Sequence, residues 1–189
     1  MGGALMKTIT KTYQFILVLK NVDENTPGLE DSFYEAGCDD ALINFRSGAV
    51  YLDFDREASS LQEAVLSAIR DVESASIGAV VTHVAPEDLV TESEIAKRLA
   101  MKRQAISLWI KGSRRASFPK PVMKLSDKSP LWKWREIAEW LYANKIKLEK
   151  ELVINAEFIE NMNLVLENRN PKSKQYRDSL LKQLDNHAS

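Results

Sequence analysis

The sequence predicts an α+β protein in which a domain built on an antiparallel sheet precedes a smaller, mainly helical domain. Short β-type runs alternate with helical segments only as far as residue 86, after which helical spacing dominates. The charge changes at the same place. Residues 23–88 hold fifteen acidic side chains against three arginines, a net charge of −12, whereas residues 91–135 hold twelve Lys and Arg against three acids, a net charge of +9. We therefore expect two domains with different partners, and a polyanion suits the basic one.

The overall composition excludes several classes of protein. The hydrophobic fraction of 44% and the charged fraction of 28% are ordinary for a globular chain. No run approaches the ~20 apolar residues of a membrane span, and the first residues lack the pattern of a secretory signal. The single cysteine, Cys38, excludes an internal disulfide and leaves no cluster for zinc. We therefore expect a cytoplasmic protein that uses no metal, no cofactor and no membrane.

Residues 13–86 form the predicted first domain, which follows a predicted flexible N-terminus over residues 1–12. Runs of β-type residues and a tight Ser47-Gly48 turn indicate strands. Capping residues and apolar positions spaced by three and four indicate helices. The predicted elements, in chain order, are a strand at Tyr13–Leu19, a helix at Leu29–Ala36, strands at Ala41–Phe45 and Ala49–Phe54, a helix from Leu61 to Val72 and a strand at Gly78–Val84.

This strand–helix–strand–strand–helix–strand order predicts a ferredoxin-like βαββαβ sandwich, in which two helices cover one face of a four-stranded antiparallel sheet. Asp53 and Asp55 alternate with apolar residues along the third strand, and Asp39 and Asp40 lie just before the second. These carboxylates could form a metal or acid–base site, but a solvent-facing row on a one-sided sheet explains them without chemistry. The sequence shows no nucleophile–base pair and no phosphate-binding glycine loop. We therefore expect no enzyme.

Residues 89–143 form the predicted second domain, which begins with two short helices. Thr91 is a good N-cap, and Glu94 three residues later completes a capping box. The helix that follows ends near Ala100, and after a two-residue turn a second helix runs over Arg103–Lys111. Two short helices joined by a tight turn form a helix-turn-helix unit.

The stretch over residues 112–130 is rich in Gly, Ser, Pro and Lys, and it carries β-type residues over Phe118–Met123. This composition predicts a small hairpin or extended wing, after which Trp134–Leu141 returns to helical spacing. Tryptophan rings could stack on bases, as in single-strand binders. Their positions beside Ile and Leu instead favour packing in the core, a choice left open only for Trp132. The four tryptophans are Trp109, Trp132, Trp134 and Trp140.

The segment Glu94–Ile110, with the sequence EIAKRLAMKRQAISLWI, resembles the helix-turn-helix of winged transcription regulators of the MerR, AlpA and excisionase type. Ala96 supplies the small residue that lets the two helices cross closely. Ile106 and Trp109 match the apolar positions that anchor the second helix. Ala100 stands where the turn of these regulators usually holds glycine. The resemblance implies a winged helix-turn-helix that binds double-stranded DNA.

The similarity extends on both sides of this segment. FPKPV and SPLWKWREIAEWL resemble the wing and the following helix of the same regulators. The first domain carries AGCDDALI and YLDFDREASSLQEAVLSAI, which are similar to motifs of bacterial proteins known only as helix-turn-helix or DNA-binding proteins. The resemblance therefore covers nearly the whole chain and implies a bacterial DNA-binding protein.

The polar side of the predicted recognition helix supplies the candidate DNA contacts. Arg can hydrogen-bond guanine through two donors, and Gln can pair with adenine in the same way. We therefore expect Arg103 and Gln104, together with Ser107, to contact base edges. Flexible cations suit phosphate, which demands no fixed angle. The expected backbone and wing contacts are Lys102, Lys111, Arg114, Arg115, Lys120 and Lys124.

Residues 146–185 are predicted to form C-terminal helices. The first could fold back on the winged domain as an ordinary amphipathic helix, or it could pair two copies of the chain. One buried Asn can fix the register of such a seam, so we favour a homodimer. Its two recognition helices would lie about 34 Å apart on an inverted repeat. The expected seam residues are Leu148, Leu152, Asn155, Ile159, Met162 and Leu166.

These expectations combine into a sequence-specific regulator that binds double-stranded DNA, as a repressor rather than an activator. The acidic domain would take a signal or partner: it could bind a basic protein, hold a small effector, or fold onto the basic domain as a DNA mimic. The alternative is an antitoxin-like or defence-system interaction module. Its acidic domain would occupy a partner protein, and DNA binding would serve autoregulation.

Overall fold

The computed structural model describes residues 10–86, 88–115 and 117–185. They form a mixed α+β structure with two compact units, one made of the residues up to Ala85 together with those from Asn161 onward, the other of Pro86–Glu160. The predicted flexible N-terminus lies outside the described residues as far as residue 9, and the first strand begins at Lys11 instead of Tyr13. Of the described helices, none is long and apolar enough to cross a membrane.

The first unit is built on a four-stranded antiparallel sheet. Alternation drives its packing: Phe15 and Phe54 are cross-strand partners on the buried face, and their rings stack at 5.2 Å between centroids. The strand order is β2-β3-β1-β4. The elements are β1 (Lys11–Lys20), α1 (Leu29–Glu35), β2 (Ala41–Arg46), β3 (Ala49–Ala58), α2 (Leu61–Ser74) and β4 (Val80–Ala85).

The acidic row on β3 has the structural explanation that the alternation predicts. Leu52 and Phe54 are fully buried, whereas Asp53 and Asp55 lie on the solvent-exposed side of the strand. Asp55 accepts a hydrogen bond of 2.8 Å from the Gln14 side chain on β1. Within the described part of the chain, no group of three or more His, Cys, Asp or Glu side chains could hold a metal ion.

Arg56 is the one inward-facing position of β3 that carries a charge, and its side chain is only 9% exposed. Its guanidinium makes a two-pronged contact with Asp40, at 2.7 and 2.8 Å, and donates to Asp71 on α2 at 2.6 Å. Ser67 Oγ and the carbonyl of Gly37 accept the remaining donors, at 3.2 and 2.9 Å. All five N–H groups of the guanidinium are therefore used, which a buried arginine requires.

Cys38 lies beside this arginine and is buried. Burial raises the pKa of its thiol to about 12, and the positive charge of Arg56 opposes that rise only in part. The thiol therefore stays protonated and unreactive at neutral pH.

The second unit packs three helices around a small two-stranded ladder. Its core includes Ile95, Ile106, Ile137 and Leu141, all without exposed surface. The elements are β5 (Leu89–Val90), α3 (Glu92–Arg98), α4 (Arg103–Ile110), β6 (Trp132–Lys133) and α5 (Trp134–Ala143), and β5 pairs antiparallel with β6.

Two further helices, α6 (Lys150–Asn168) and α7 (Pro171–Asp185), complete the described chain. The first residues of α6 belong to the second unit and those from Asn161 onward to the first. The side-chain amide of Asn163 hydrogen-bonds both the N–H and the C=O of Val84, at 2.8 and 3.1 Å. The outward backbone groups of Val84 are therefore satisfied, and Glu73 accepts the N–H of Val81, so part of the β4 edge is protected from pairing.

The stripe that was expected to pair two copies lies on α6 and just before it. Its six residues are exposed at Leu148, half-buried at Leu152 and Asn155, and buried at Ile159, Met162 and Leu166. Leu152 packs against the core of the second unit. Pairing through the buried side chains would require them to leave the positions they hold within one chain. The part of α6 before Asn161 packs with the second unit, as the fold-back interpretation expects, whereas Met162 and Leu166 belong to the first unit.

Glu160 joins α6 to the ladder and to α5 within the second unit. Lys133 Nζ lies 2.7 Å from one of its carboxylate oxygens, and Arg135 contacts the other at 3.5 Å. The hydrogen bond from Lys133 holds the pKa of Glu160 below its usual value, although burial acts in the opposite direction.

A carboxylate with a lowered pKa in the folded state stabilises the fold above its unfolded pKa and loses that contribution as pH falls. We therefore expect Glu160→Gln to lower the free energy of unfolding at pH 7. The difference from the native chain should shrink as pH falls below about 4.5. Urea denaturation at several pH values measures this, with Glu149→Gln, an exposed glutamate, as the control. A difference that does not change with pH would contradict the role assigned to the Glu160 carboxylate.

Candidate nucleic-acid interface

The helix α3 begins with the capping box that its sequence predicts. Thr91 Oγ1 accepts the backbone N–H of Glu94 at 3.3 Å, and the Glu94 carboxylate accepts the N–H of Thr91 at 2.6 Å. The backbone hydrogen bond from Thr91 lowers the pKa of Glu94, so the carboxylate is charged at neutral pH. Both exchanges fix the direction in which the short helix leaves β5.

The turn between α3 and α4 is a Schellman motif centred on Ala100. The N–H of Met101 donates to the carbonyl of Ala96 at 2.9 Å, and the N–H of Ala100 donates to that of Lys97 at 3.1 Å. Ala100 has φ 52°, in the left-handed region that usually requires glycine. The helix α4 ends in the same motif at Gly112, where φ is 69°. Ala100, which departs from the glycine usual at this place in the related regulators, therefore adopts a backbone conformation that favours glycine.

We expect Ala100→Gly to raise the free energy of unfolding by about 0.5 kcal/mol. Relief of the left-handed strain contributes about 1 kcal/mol, and the greater freedom of glycine in the unfolded chain cancels part of it. Urea denaturation measures the change. Ala105→Gly inside α4 is the matched control and should destabilise by about 1 kcal/mol. A loss of stability in Ala100→Gly would mean that the alanine side chain makes packing contacts that outweigh its backbone strain.

One face of α4 is anchored in the core and the other is free. Ile106 is fully buried and Trp109 is 6% exposed. Arg103 and Gln104 are exposed, and Ser107 is half-buried one turn further along. The structure therefore brings the three predicted base contacts together on the side of the helix that the core does not use.

Arg103 is oriented by an acidic neighbour. Its Nε lies 3.3 Å from a carboxylate oxygen of Glu92 at the start of α3, while its side chain stays 64% exposed. A surface hollow of about 100 Å³ adjoins this pair, lined on its far side by Lys128, Ser129 and Pro130. Lys128 thus lies near Arg103 of α4, although the sequence interpretation did not include it. Its only signal in the sequence was its place in the cationic run that also holds Lys120 and Lys124.

The described residues of the predicted wing form an extended segment with little regular structure. Phe118–Val122 forms no strand, and the hairpin is closed by a single bridge between Met123 and Leu131. The side chain of Phe118 packs among Trp109 and Trp140, whereas Val122 and Met123 are exposed. Proline on either side of Lys120 explains the missing ladder, because proline lacks the N–H that a strand pair needs.

The six cations predicted to contact the DNA backbone differ in whether the structure gives them a hydrogen-bond partner. Arg115 donates to the carbonyl of Asn144 at the end of α5, at 3.3 Å, and so has a structural partner. Such a contact satisfies a carbonyl at a helix C-terminus. All six side chains are exposed, and the other five are Lys102, Lys111, Arg114, Lys120 and Lys124.

The four tryptophans are core residues. Their exposed fractions lie between 2% and 9%. Trp109 and Trp140 contact each other with centroids 5.4 Å apart, and the Arg98 guanidinium lies 4.9 Å from the ring of Trp134. Trp132, the open case, is 2% exposed, and its Nε1 donates to the carbonyl of Pro119 at 3.1 Å. Its ring is therefore not presented to a base, and its indole N–H tethers the start of the wing.

A comparison with protein families identifies the class of this domain. Residues 88–145 match the family model described as Prophage CP4-57 regulatory protein (AlpA). The match covers less than a third of the 189 residues and includes α3, α4, the segment between α4 and β6, and α5. This similarity supports a DNA-binding regulatory domain of the AlpA type in the second unit. Searches of curated proteins and of solved structures find no match for the chain.

Proposed function

We propose that the protein is a sequence-specific regulator that binds double-stranded DNA by placing α4 in the major groove. The observation that supports this most directly is the division of α4 into a buried face and an exposed polar face, inside a segment that matches the AlpA family. A major groove about 12 Å wide admits a helix of this kind. Arg103 and Gln104 at the start of α4 contact base edges, and Ser107 contacts the next base or its phosphate.

Phosphate contacts in this proposal come from the recognition helix and the wing. Lys102 and Lys111 lie at the two ends of α4, and Lys120, Lys124 and Lys128 are exposed in or beside the wing. The first backbone N–H groups of α4 have no side-chain cap, so a phosphate could accept them. Arg115 is assigned a structural role instead, because its guanidinium supports the end of α5.

The finer fold assignments belong to the same proposal. For the first unit we propose a ferredoxin-like sandwich, supported by its βαββαβ element order and its antiparallel sheet order β2-β3-β1-β4. For the second we propose a winged helix-turn-helix, supported by α3, α4 and the hairpin that the Met123–Leu131 bridge closes. The proposal gives neither unit a catalytic role.

Repression by a homodimer is also part of the proposal, and it needs a surface other than the predicted seam. The helix α7 offers one, because Tyr176, Leu180 and Leu184 recur every fourth residue and are exposed. Sedimentation with and without an inverted-repeat DNA measures the stoichiometry. One chain on each DNA would contradict the dimer without affecting the assignment of α4.

The experiment that tests the function is fluorescence anisotropy of the full chain on the DNA upstream of its own gene and on scrambled DNA of equal length. If the five lysines of this proposal and the exposed Arg114 contact phosphates, the log–log slope of affinity against salt should be about −5. Preference for the upstream DNA together with that slope supports a sequence-specific regulator. Equal affinity for both DNAs would contradict sequence-specific recognition of the upstream region, and no binding to either would contradict DNA binding itself.

A further inference from the structure

The acidic unit has an open sheet edge beside an acidic groove. The strand β2 lies at the end of the sheet opposite to β4, and β3 is its only neighbour among the described strands. The amide of Asn163 protects part of the β4 edge, but no side chain of the described residues bonds the outward backbone groups of β2. An uncovered edge is a template for a further strand.

The register shows which backbone groups are free. The N–H of Asp55 on β3 donates to the carbonyl of Asp40 at 3.0 Å. Every second residue of β2, counted from Asp40, therefore directs its N–H and C=O groups to β3. Ile43 and Phe45 therefore direct their N–H and C=O groups away from the sheet. An added strand would find two donors and two acceptors at the spacing of a β-ladder.

Two adjoining hollows run along this edge between β2 and α1. Their volumes are about 380 and 350 Å³, and they share Glu30 and Asp31 at the start of α1. Asp39 lines the first hollow and Glu24 the second, and neither lining includes a Lys, Arg or His. The groove is therefore uniformly negative.

Apolar side chains are exposed on both faces of the sheet at this edge. Tyr34 on α1 and Leu42 on β2 are each 71% exposed, and Phe45 is 45% exposed. Large apolar residues grouped at a strand edge are unusual on a surface with no partner. Phe45 and Leu42 project from opposite faces of β2, so both faces of an added strand would meet an apolar contact.

We propose that this groove binds an extended, basic segment of a partner protein, which adds a strand to β2. Backbone pairing with Ile43 and Phe45 supplies the part of the affinity that does not depend on the partner's sequence. Lysine or arginine side chains of the partner meet Glu30 and Asp31, and its apolar side chains meet Phe45 and Leu42. A second copy of this chain fits less well, because pairing β2 with itself would bring the acidic grooves of both copies together.

This inference does not depend on DNA binding by the second unit, so either can fail without the other. The probe is a labelled peptide of about seven residues in which lysine and valine alternate, added to the full chain. We expect binding measured by anisotropy and slower amide hydrogen exchange at Ile43 and Phe45, read by NMR. A peptide of alternating lysine and proline, which has the charge but few backbone donors, should not bind.

Matched variants distinguish binding at this groove from nonspecific attraction to the negative charge of the first unit. The double variant Glu30→Gln/Asp31→Asn should weaken binding by about tenfold. The control Glu57→Gln/Asp178→Asn removes the same charge from exposed positions elsewhere in the first unit and should leave affinity unchanged. Ile43→Pro removes one outward N–H without breaking a bond to β3, and it should also weaken binding.

Three outcomes would overturn the proposal. The first is equal binding of the lysine–proline peptide, which would indicate charge attraction without an added strand. The second is an equal loss of affinity in the control variant. The third is self-association of the chain that strengthens when Glu30 and Asp31 are neutralised, since that would identify a second copy as the occupant of the edge.

Discussion

Replacing Arg56 with alanine is expected to lower the free energy of unfolding by about 3 kcal/mol, the largest effect among the substitutions considered. The guanidinium is the shared partner of Asp40 and Asp71, and it also binds Ser67 and the carbonyl of Gly37. Without it, two carboxylates face each other across a space that the arginine filled. Denaturation in urea, followed by circular dichroism at pH 7, measures the loss.

Two comparisons make this prediction specific. Arg46→Ala removes the same charge from an exposed position at the end of β2 and should change stability by less than about 0.5 kcal/mol. Arg56→Lys keeps the charge but cannot reproduce the two-pronged contact with Asp40, so it should recover only part of the loss. Full recovery by lysine would show that charge alone matters here and that the five-donor geometry does not.

Replacing Arg103 with alanine is expected to cost about 1–3 kcal/mol of binding free energy on a cognate DNA site and to leave nonspecific binding nearly unchanged. Its guanidinium is exposed on α4 and is held near the helix start by Glu92. Gln104→Ala should show the same selectivity. Anisotropy titrations on cognate and scrambled DNA measure both affinities at a fixed salt concentration.

Lys111→Ala is the control for this experiment, because its exposed position at the end of α4 suits a phosphate contact. It should weaken binding to every DNA alike and reduce the salt slope by about one. Equal losses on both DNAs for Arg103→Ala would assign that side chain to the phosphate backbone. No loss of affinity in these variants would show that α4 does not contact the DNA.

Local physical chemistry made several elements predictable. The capping box at Thr91 and Glu94 predicted the start of α3, because the hydroxyl and the carboxylate satisfy backbone donors within four residues of each other. The alternation around Asp53 and Asp55 correctly predicted which face of β3 meets water. The spacing of Ile106 and Trp109 defined the buried face of α4, and with it the side that is free for a ligand.

Contacts between distant parts of the chain decided the rest. The alternation of buried and exposed residues along β3 indicates that its arginine faces inward. It does not indicate the partners of that arginine on α2 and before β2. Nothing near Trp132 or Arg115 in sequence indicates that the first ties down the wing and the second supports α5. The apolar residues of α6 have the same spacing whether the helix packs within one chain or pairs two copies of the chain, so spacing cannot distinguish these cases.

The sequence by itself determined the element order, the charge division and the polar face of α4, because these depend on spacing within a few residues. The tertiary structure alone decided that Ile159 and Leu166 are buried within one chain, and that the exposed Arg115 side chain hydrogen-bonds the carbonyl of Asn144. It also decided which sheet edge stays open. The physical reason is that burial and hydrogen-bond pairing depend on which segments fold against each other, whereas periodicity shows only that a segment has a face to bury.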